Sequence, residues 1–457
     1  MRVWQNNTQH RARADAMVAE AAQAIDPARR PVFHFTPRAG WMNDPNGPIY
    51  HGGQYHLFYQ HNPNEPQWGT IHWGHATSPD LVTWAHRPPA LAPDPAAALE
   101  HCFSGCSWVG EDGVARLFFT AIGGTKGVEH GAEQWSVTAD LDTGSFVPIA
   151  MPALSDGMHP DPIRHWRDPF IFATEGRTFM VLGGSAPTAE DDPLGSGRPA
   201  VFLYEARDAA LTSWRYRGVL YRRIDRSIGS IECPAFFPLG NKFVLIVSPY
   251  GPVEWRVGTF DADSGRFVVE REGVMDANPR HYAATCFRDS AGRWLSVAWL
   301  RAGRAELGWN GALSLPRGLT LSAEGDLVQT PAVSLEALSI GTVSLAETAV
   351  PCGGAFTLEI DGIGEQAMTL EIATRPDAAT TTIRVEAGRI EIDGEAFAPE
   401  GGLTPCRLFF DRGIVEVFTA GGACRTWLVE DPGPKALMRR SGATDARALL
   451  TVLKAPG

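Results

Sequence analysis

The chain has 457 residues, 44% hydrophobic and 20% charged, which are the proportions of a soluble globular protein and exclude disorder or collagen-like order. Its formal charge is −12, and no run of Lys and Arg could neutralise successive phosphates, so nucleic acid is not an expected partner. No apolar segment reaches the roughly 18 residues that a membrane span requires, so no membrane partner is expected either.

The first 30 residues are polar and Ala-rich and lack the apolar core of a signal peptide. They predict a short N-terminal helical extension over 1–30 and a cytoplasmic protein. Seven cysteines form an odd set, which suits reduced thiols. Cys102 and Cys106 lie four apart but lack the second pair or His cluster of a zinc site, so no metal and no cofactor is expected.

Gly (48) and Pro (34) are in excess, which points to many turns and many short strands. Five glycines mark a repeat in which a turn Gly is followed within a residue or two by an apolar strand: Gly53 before YHLFYQ, Gly113 before ARLFFTAI, Gly176 before TFMVLGG, Gly240 before KFVLIVS and Gly292 before WLSVAWL. The intervals of 60, 63, 64 and 52 residues each hold about four strands, the content of one propeller blade. The predicted fold is therefore all-β, a five-bladed β-propeller over residues 31–335. Counting back eight or nine residues from each glycine gives Asp44, Ser104, Asp168, Glu232 and Ala283 beside Tyr282. These are expected at equivalent places on the channel-lining first strand of each blade, where three acids would converge on one axial pocket.

Beyond Leu335 the aromatics thin out and alternating segments such as FTLEI, MTLEIAT, TTIRVEA and RIEIDG appear, as half-buried strands require. A C-terminal β-sandwich is predicted over 336–457, with a hairpin turned at Asp411-Arg412-Gly413. The stretch LVQTPAVSLEALSIGTVSL, which has no aromatic residue, is expected to join the two domains.

Three acids stand in contexts that suggest chemistry. Asp44 lies in Trp41-Met42-Asn43-Asp44-Pro45-Asn46-Gly47, where Pro45 biases it toward an extended backbone and Asn43 can donate to a sugar hydroxyl. N-D-P-N-G is also good turn chemistry, but Tyr55, Phe58, Tyr59, Gln60, His61, Trp68, His72, Trp73 and His75 follow, rings and amides of the kind that line sugar sites. Of these, Tyr55, Phe58 and Trp73, with Trp84, are expected in the core. Asp168 lies in Trp166-Arg167-Asp168-Pro169. Glu232 lies in Ile231-Glu232-Cys233-Pro234, flanked by apolar residues, where desolvation would favour the protonated form that a general acid uses. Two carboxylates flanking a bond are the minimum for glycoside hydrolysis, and a third can stabilise an oxocarbenium-like transition state.

These segments together resemble glycoside hydrolase family 32, the invertases, levanases, inulinases and sucrose-6-phosphate hydrolases. The resemblance runs from HFTP at His34 through WMNDPNG, YHLFYQHNP, WGTIHWGHATSPDLVTW and PALAPD. It continues through FSG at Phe103, WRDP at Trp166, ECP at Glu232, HYAAT at Tyr282, AWL at Trp299, LSLPRGL from Leu313 and FFDRGIVEVF in the tail. It implies a five-bladed propeller with a C-terminal sandwich, and a retaining release of terminal β-D-fructofuranosyl residues from sucrose or fructans. Asp44 would be the nucleophile, Glu232 the acid and base, and Asp168 the transition-state stabiliser. Asn43, Gln60, Trp68, Phe103, Ser104 and Arg167 match positions around the terminal fructose, and Tyr282 and Trp299 match more loosely. The implied partner is a small sugar or oligosaccharide with a terminal fructose.

Two departures fall, on this reading, at the leaving-group side: FSGCSWV places Cys106 where the family has a small hydroxyl residue, and VMDANPRHYAATCF lacks the usual Asp-Phe before its Tyr. The second puts the fifth blade's contribution in question, and both together put acceptor or substrate preference in question. The alternatives are a fructosyltransferase on the same scaffold, a catalytically silent fructan-binding protein, which the presence of all three acids disfavours, and an arabinan-type hydrolase, which the first block disfavours.

Overall fold

The computed structural model describes residues 4–94, 97–123, 131–149, 153–155, 159, 163–186, 198–223, 228–364, 366–374, 381–443 and 445–455. Strand is the dominant secondary structure, and the strands form five propeller blades followed by a sandwich.

Each blade is an antiparallel meander in chain order. Blade 1 is Gly40–His51, Gln54–Asn62, His72–Ser78 and Ala85–Leu91. Blade 2 starts with His101–Val109 and Ala115–Ile122, blade 3 with Arg164–Thr174 and Arg177–Ala186, and blade 4 with Glu232–Leu239 and Lys242–Ser248. Blade 5 is His281–Arg288, Trp294–Leu300, Arg317–Leu321 and Leu327–Pro331. The five repeat glycines sit in the hairpins between first and second strands, all in the left-handed region with φ between 62° and 83°, which a side chain would resist. Each first strand packs against the first strands of both neighbouring blades. The ring is closed by Trp309–Asn310, which leaves blade 5 and pairs in parallel with Gly40–Trp41 of blade 1.

All five first strands carry a one-residue bulge at the same height, between Met42 and Pro45, Cys102 and Gly105, Arg167 and Phe170, Glu232 and Ala235, and Tyr282 and Thr285. This corrects the expected equivalence of the acids. In the bulge register Asp44 matches Ser104, Asp168 matches Cys233 and Ala283, and Glu232 matches Arg167 and Tyr282. The acids therefore occupy three successive positions. A regular strand sends neighbouring side chains to opposite faces, and a bulge re-aims them. Counting a fixed number back from the turn glycines misses this register, because the residue that opens the bulge lies between 8 and 11 residues before the glycine in different blades.

The N-terminal helix spans Thr8–Ala22, with Asn7 capping it by accepting from Gln9 N at 2.8 Å. Ahead of it Trp4 is buried against Phe119 and Trp135 of blade 2, and its indole N–H donates to Ala92 O beside blade 1 at 3.1 Å. The extension is thus pinned where these two blades meet.

The sandwich has two six-stranded sheets around a core that includes Phe356, Leu370, Ile383, Leu408, Phe410 and Val417. The hairpin at Asp411 turns through Arg412 and Gly413, at φ 52° and 85°. The expected linker is shorter than its composition suggested. Leu327–Pro331 is the outer strand of blade 5 and Ser339–Ser344 an edge strand of the sandwich, leaving 332–338 between them.

Propeller and sandwich meet on a buried polar cluster. His34 bonds Asp411 Oδ2 through Nδ1 and Glu416 Oε1 through Nε2, each at 3.0 Å. Arg317 Nη2 donates to Glu416 Oε2 at 2.7 Å and Asp276 Oδ2 at 2.8 Å, with all these side chains sealed from solvent. Backbone N–H groups of Val32, Phe33 and His34 donate to Asp411, and that of Leu315 to Glu416. HFTP and FFDRGIVEVF, which the sequence offered only as markers of a resemblance, are the two halves of this joint.

Candidate active site

At the end of the ring where the bulges lie, Asp44, Asp168 and Glu232 come together from blades 1, 3 and 4. Cys233, next to Glu232, links the other two: its Sγ lies 3.5 Å from Asp44 Oδ2 and 3.7 Å from Asp168 Oδ2, and its N–H donates to Asp168 Oδ2 at 2.9 Å. Asp168 and Cys233 both sit at positive φ, 65° and 47°, strain of the kind that functional sites hold. Thr120 Oγ1 anchors Asp168 by accepting from its N–H at 2.9 Å, and is itself held by Gln134.

Asp44 is saturated with donors. Asn43 Nδ2 donates to Oδ1 at 3.0 Å, while Ser104 Oγ at 2.6 Å and Gln60 Nε2 at 3.3 Å donate to Oδ2. Asn43 is itself oriented between the Trp41 indole at 2.8 Å and Gln60 Oε1 at 2.8 Å. Burial, with the Glu232 charge, pushes the Asp44 carboxyl above its usual range, and these donors oppose the shift by favouring the anion. Asp168 has less support. Burial pushes it up to about 7, the charges of Glu232 and Asp44 add to this, and Arg167, whose Nε is 3.9 Å away, only partly compensates.

Glu232 departs from the expected desolvated acid. Its side chain is 20% exposed, against 6% for Asp168. Arg167 Nη2 donates to Oε1 at 2.7 Å and the Tyr282 hydroxyl to Oε2 at 2.6 Å. The flanking apolar residues enter the propeller core, while the bulge turns the carboxylate to the mouth. Burial alone would lower the Arg167 guanidinium, but the charges of Glu232 and Asp168 outweigh it and hold it protonated.

The fifth blade does contribute. Tyr282 is buried and holds Glu232, and Arg301 lies over the Tyr282 and Trp299 rings at 4.1 and 5.1 Å. Trp299 in turn packs edge-on against Trp41 at 5.6 Å. Phe103 is reached from the rim through His101, against which the Trp68 ring packs at a tilt with centroids 5.2 Å apart. Trp68 is 51% exposed and belongs to the rim. Cys106 is misplaced by the sequence reading: it is buried and lines a cavity of about 410 Å³ at the opposite end of the first strands, with Gly47, Phe170 and Trp294. Tyr55, Phe58 and Trp73 are core residues, as expected, and Trp84 is partly buried. Two residues were missed, Tyr250 and Ser230. The Tyr250 hydroxyl accepts from Arg167 Nη2 at 2.9 Å and bonds Ser230 Oγ at 3.1 Å. The only sequence signal for Tyr250 is an aromatic in a Pro-Tyr-Gly-Pro turn.

Among the described residues no group of three or more His, Cys, Asp or Glu has the arrangement to hold a metal ion, and no helix is long and apolar enough to cross a membrane. All seven cysteines are free, and six are buried.

Residues 34–331 match the model of the glycosyl hydrolases family 32 N-terminal domain. A sucrose-6-phosphate hydrolase of Escherichia coli is 30% identical over 86% of this chain and 87% of its own length. One from Zymomonas mobilis is 34% identical over 69% of this chain and 66% of its own. Among solved structures, a Bombyx mori family 32 β-fructofuranosidase superposes with a TM-score of 0.85 at 26% identity, covering 99% of this chain and all of that one. With bulged first strands bringing three acids to one axial pocket, and with a family match over most of the chain, this protein belongs to glycoside hydrolase family 32 and is a glycosidase.

Proposed function

We propose that the protein is a retaining β-fructofuranosidase that releases terminal β-D-fructofuranosyl residues from sucrose or a fructan. Asp44 attacks the anomeric carbon and forms a covalent fructosyl-enzyme. Glu232 protonates the departing oxygen, then takes a proton from the water that breaks the intermediate. Asp168 grips ring hydroxyls, and its ionised form is favoured as positive charge builds on the ring, so its attraction strengthens toward the transition state. Asn43, Gln60, Phe103, Ser104 and Arg167 surround the fructosyl ring, with Trp68 and Trp299 at the rim and Tyr282 acting through Glu232.

The observation that carries this reading is the difference in support among the acids. Asp44 is fixed by three side-chain donors besides the Cys233 thiol, as a nucleophile held ionised requires, whereas Glu232 is the acid turned to the open mouth, where a leaving group departs. The named relatives, sucrose-6-phosphate hydrolases and a raffinose invertase of Escherichia coli at 30% identity, agree with a fructoside substrate. The test is hydrolysis of sucrose, levan and inulin followed by NMR from the first turnover. β-Fructofuranose should appear first and mutarotate later. Initial release of the α-anomer, or no release from any of the three, would overturn the proposal.

A further inference from the structure

Tyr250 lies in the turn Ser248-Pro249-Tyr250-Gly251-Pro252 between the second and third strands of blade 4. Three features set it apart. Its φ is 63°, a conformation a side-chain-bearing residue avoids unless its surroundings enforce it. The enforcement is visible: its backbone N–H donates to the Tyr282 hydroxyl at 3.1 Å, and its own hydroxyl is tied to Arg167 Nη2 and Ser230 Oγ. Yet half of its surface, 50%, is exposed, an unusual state for a large ring fixed at both ends. The polar tip is anchored inward and the remainder is offered to solvent.

The tethers locate it. Arg167 Nη2 binds Tyr250 and Glu232 together, and Tyr282 binds Glu232 and the Tyr250 backbone together. Tyr250 is therefore keyed to the acid at the mouth, with no bond to Asp44 or Asp168. On the reading above, Glu232 delivers its proton to the glycosidic oxygen, so the group next to it on the open side is the sugar that leaves. We propose that Tyr250 is a specificity-determining residue, a fixed aromatic platform on which the apolar face of the leaving-group pyranose or fructose ring rests. A ring held before substrate arrives loses little freedom on binding, so the contact is made at low entropic cost. This rests on the fructofuranosidase reading and adds to it the recognition of the leaving group.

The test compares sucrose with methyl β-D-fructofuranoside, whose leaving group has no ring, in the wild type, Tyr250→Phe and Tyr250→Gly. Glycine adopts positive φ freely and keeps the turn's path. Tyr250→Gly should lower the ratio of kcat/KM for sucrose to that for the methyl glycoside about tenfold, chiefly through KM, as loss of one ring-sized apolar contact implies. Tyr250→Phe keeps the face and should retain most of the ratio. An unchanged ratio in Tyr250→Gly, or an equal fall in kcat for both substrates, would overturn the platform and leave Tyr250 as a mere support for Arg167. Failure of the wild type to cleave either fructoside would instead sink the underlying reading, and the platform with it.

Discussion

Two clusters in this molecule each gather three carboxylates about one arginine, and they are opposites. Between the domains, Asp276, Asp411 and Glu416 surround Arg317 and also His34, and nearly every oxygen has a donor. Burial alone would raise the Glu416 carboxyl, but Arg317 and His34 hold it at about 2. Burial would lower the His34 imidazole, but Asp411 and Glu416 raise it to about 9. In the axial pocket Arg167 pairs with Asp168 and Glu232, and Asp168 is still driven to about 7. The compensated cluster is a joint. The under-compensated one keeps unmet negative charge at the place where a cationic transition state would form, which is how a site reserves its electrostatics for the reaction.

The contrast makes predictions, beginning with the largest effect. Asp44→Ala should lower kcat by about 10⁴ or more, while thermal unfolding stays at or above the wild-type temperature, because a repelling charge has been removed. Parallel loss of activity and fold would break the distinction between the clusters. Arg317→Met should do the reverse. It strips the guanidinium from buried carboxylates and should cost about 3–5 kcal/mol in denaturant unfolding, whereas a loss below about 1 kcal/mol would show that the joint is not held by this pair.

Asp168→Asn gives a smaller, pH-dependent effect. The folded protein raises this carboxyl from 3.8 to about 7, so the proton it retains stabilises the fold at low pH, and that stability is lost as pH rises through about 7. The amide should remove the penalty, raising stability by about 2 kcal/mol at pH 8 with little gain near pH 4, while activity falls. A gain of equal size at both pH values would refute the assignment. The smallest effect is at His34. Its folded value is raised from 6.5 to about 9, so its contribution is complete below 6.5 and is lost as pH climbs through about 9. In His34→Gln the fall in melting temperature between pH 6.5 and 9 should flatten; an undiminished slope would assign it to other groups.

Much of the fold was legible along the chain. The repeat glycines were readable because a hairpin that must turn through positive φ selects Gly locally. The motifs around Asp44, Asp168 and Glu232 were readable because the residues of each motif act side by side. Less visible was how those acids are used. Glu232 looked desolvated from its neighbours, yet its side chain is 20% exposed while that of Asp168 is 6% exposed. Cys106 looked like part of the pocket from its place after Ser104, yet it lines the far end of the channel.

By itself, then, the sequence determined the five blades and the sandwich that follows them, and it singled out the three acids proposed to act, all from short segments and their spacing. Only the tertiary structure decided the bulge register, the pairing of His34 with Asp411 and Glu416 almost four hundred residues away, and the bracing of Glu232 by Arg167, Tyr282 and, through them, Tyr250. The physical reason is that charge compensation belongs to the space around a group. Which carboxylate is saturated and which is left wanting depends on the donors that ring closure brings to it, and these come from blades and domains distant in sequence.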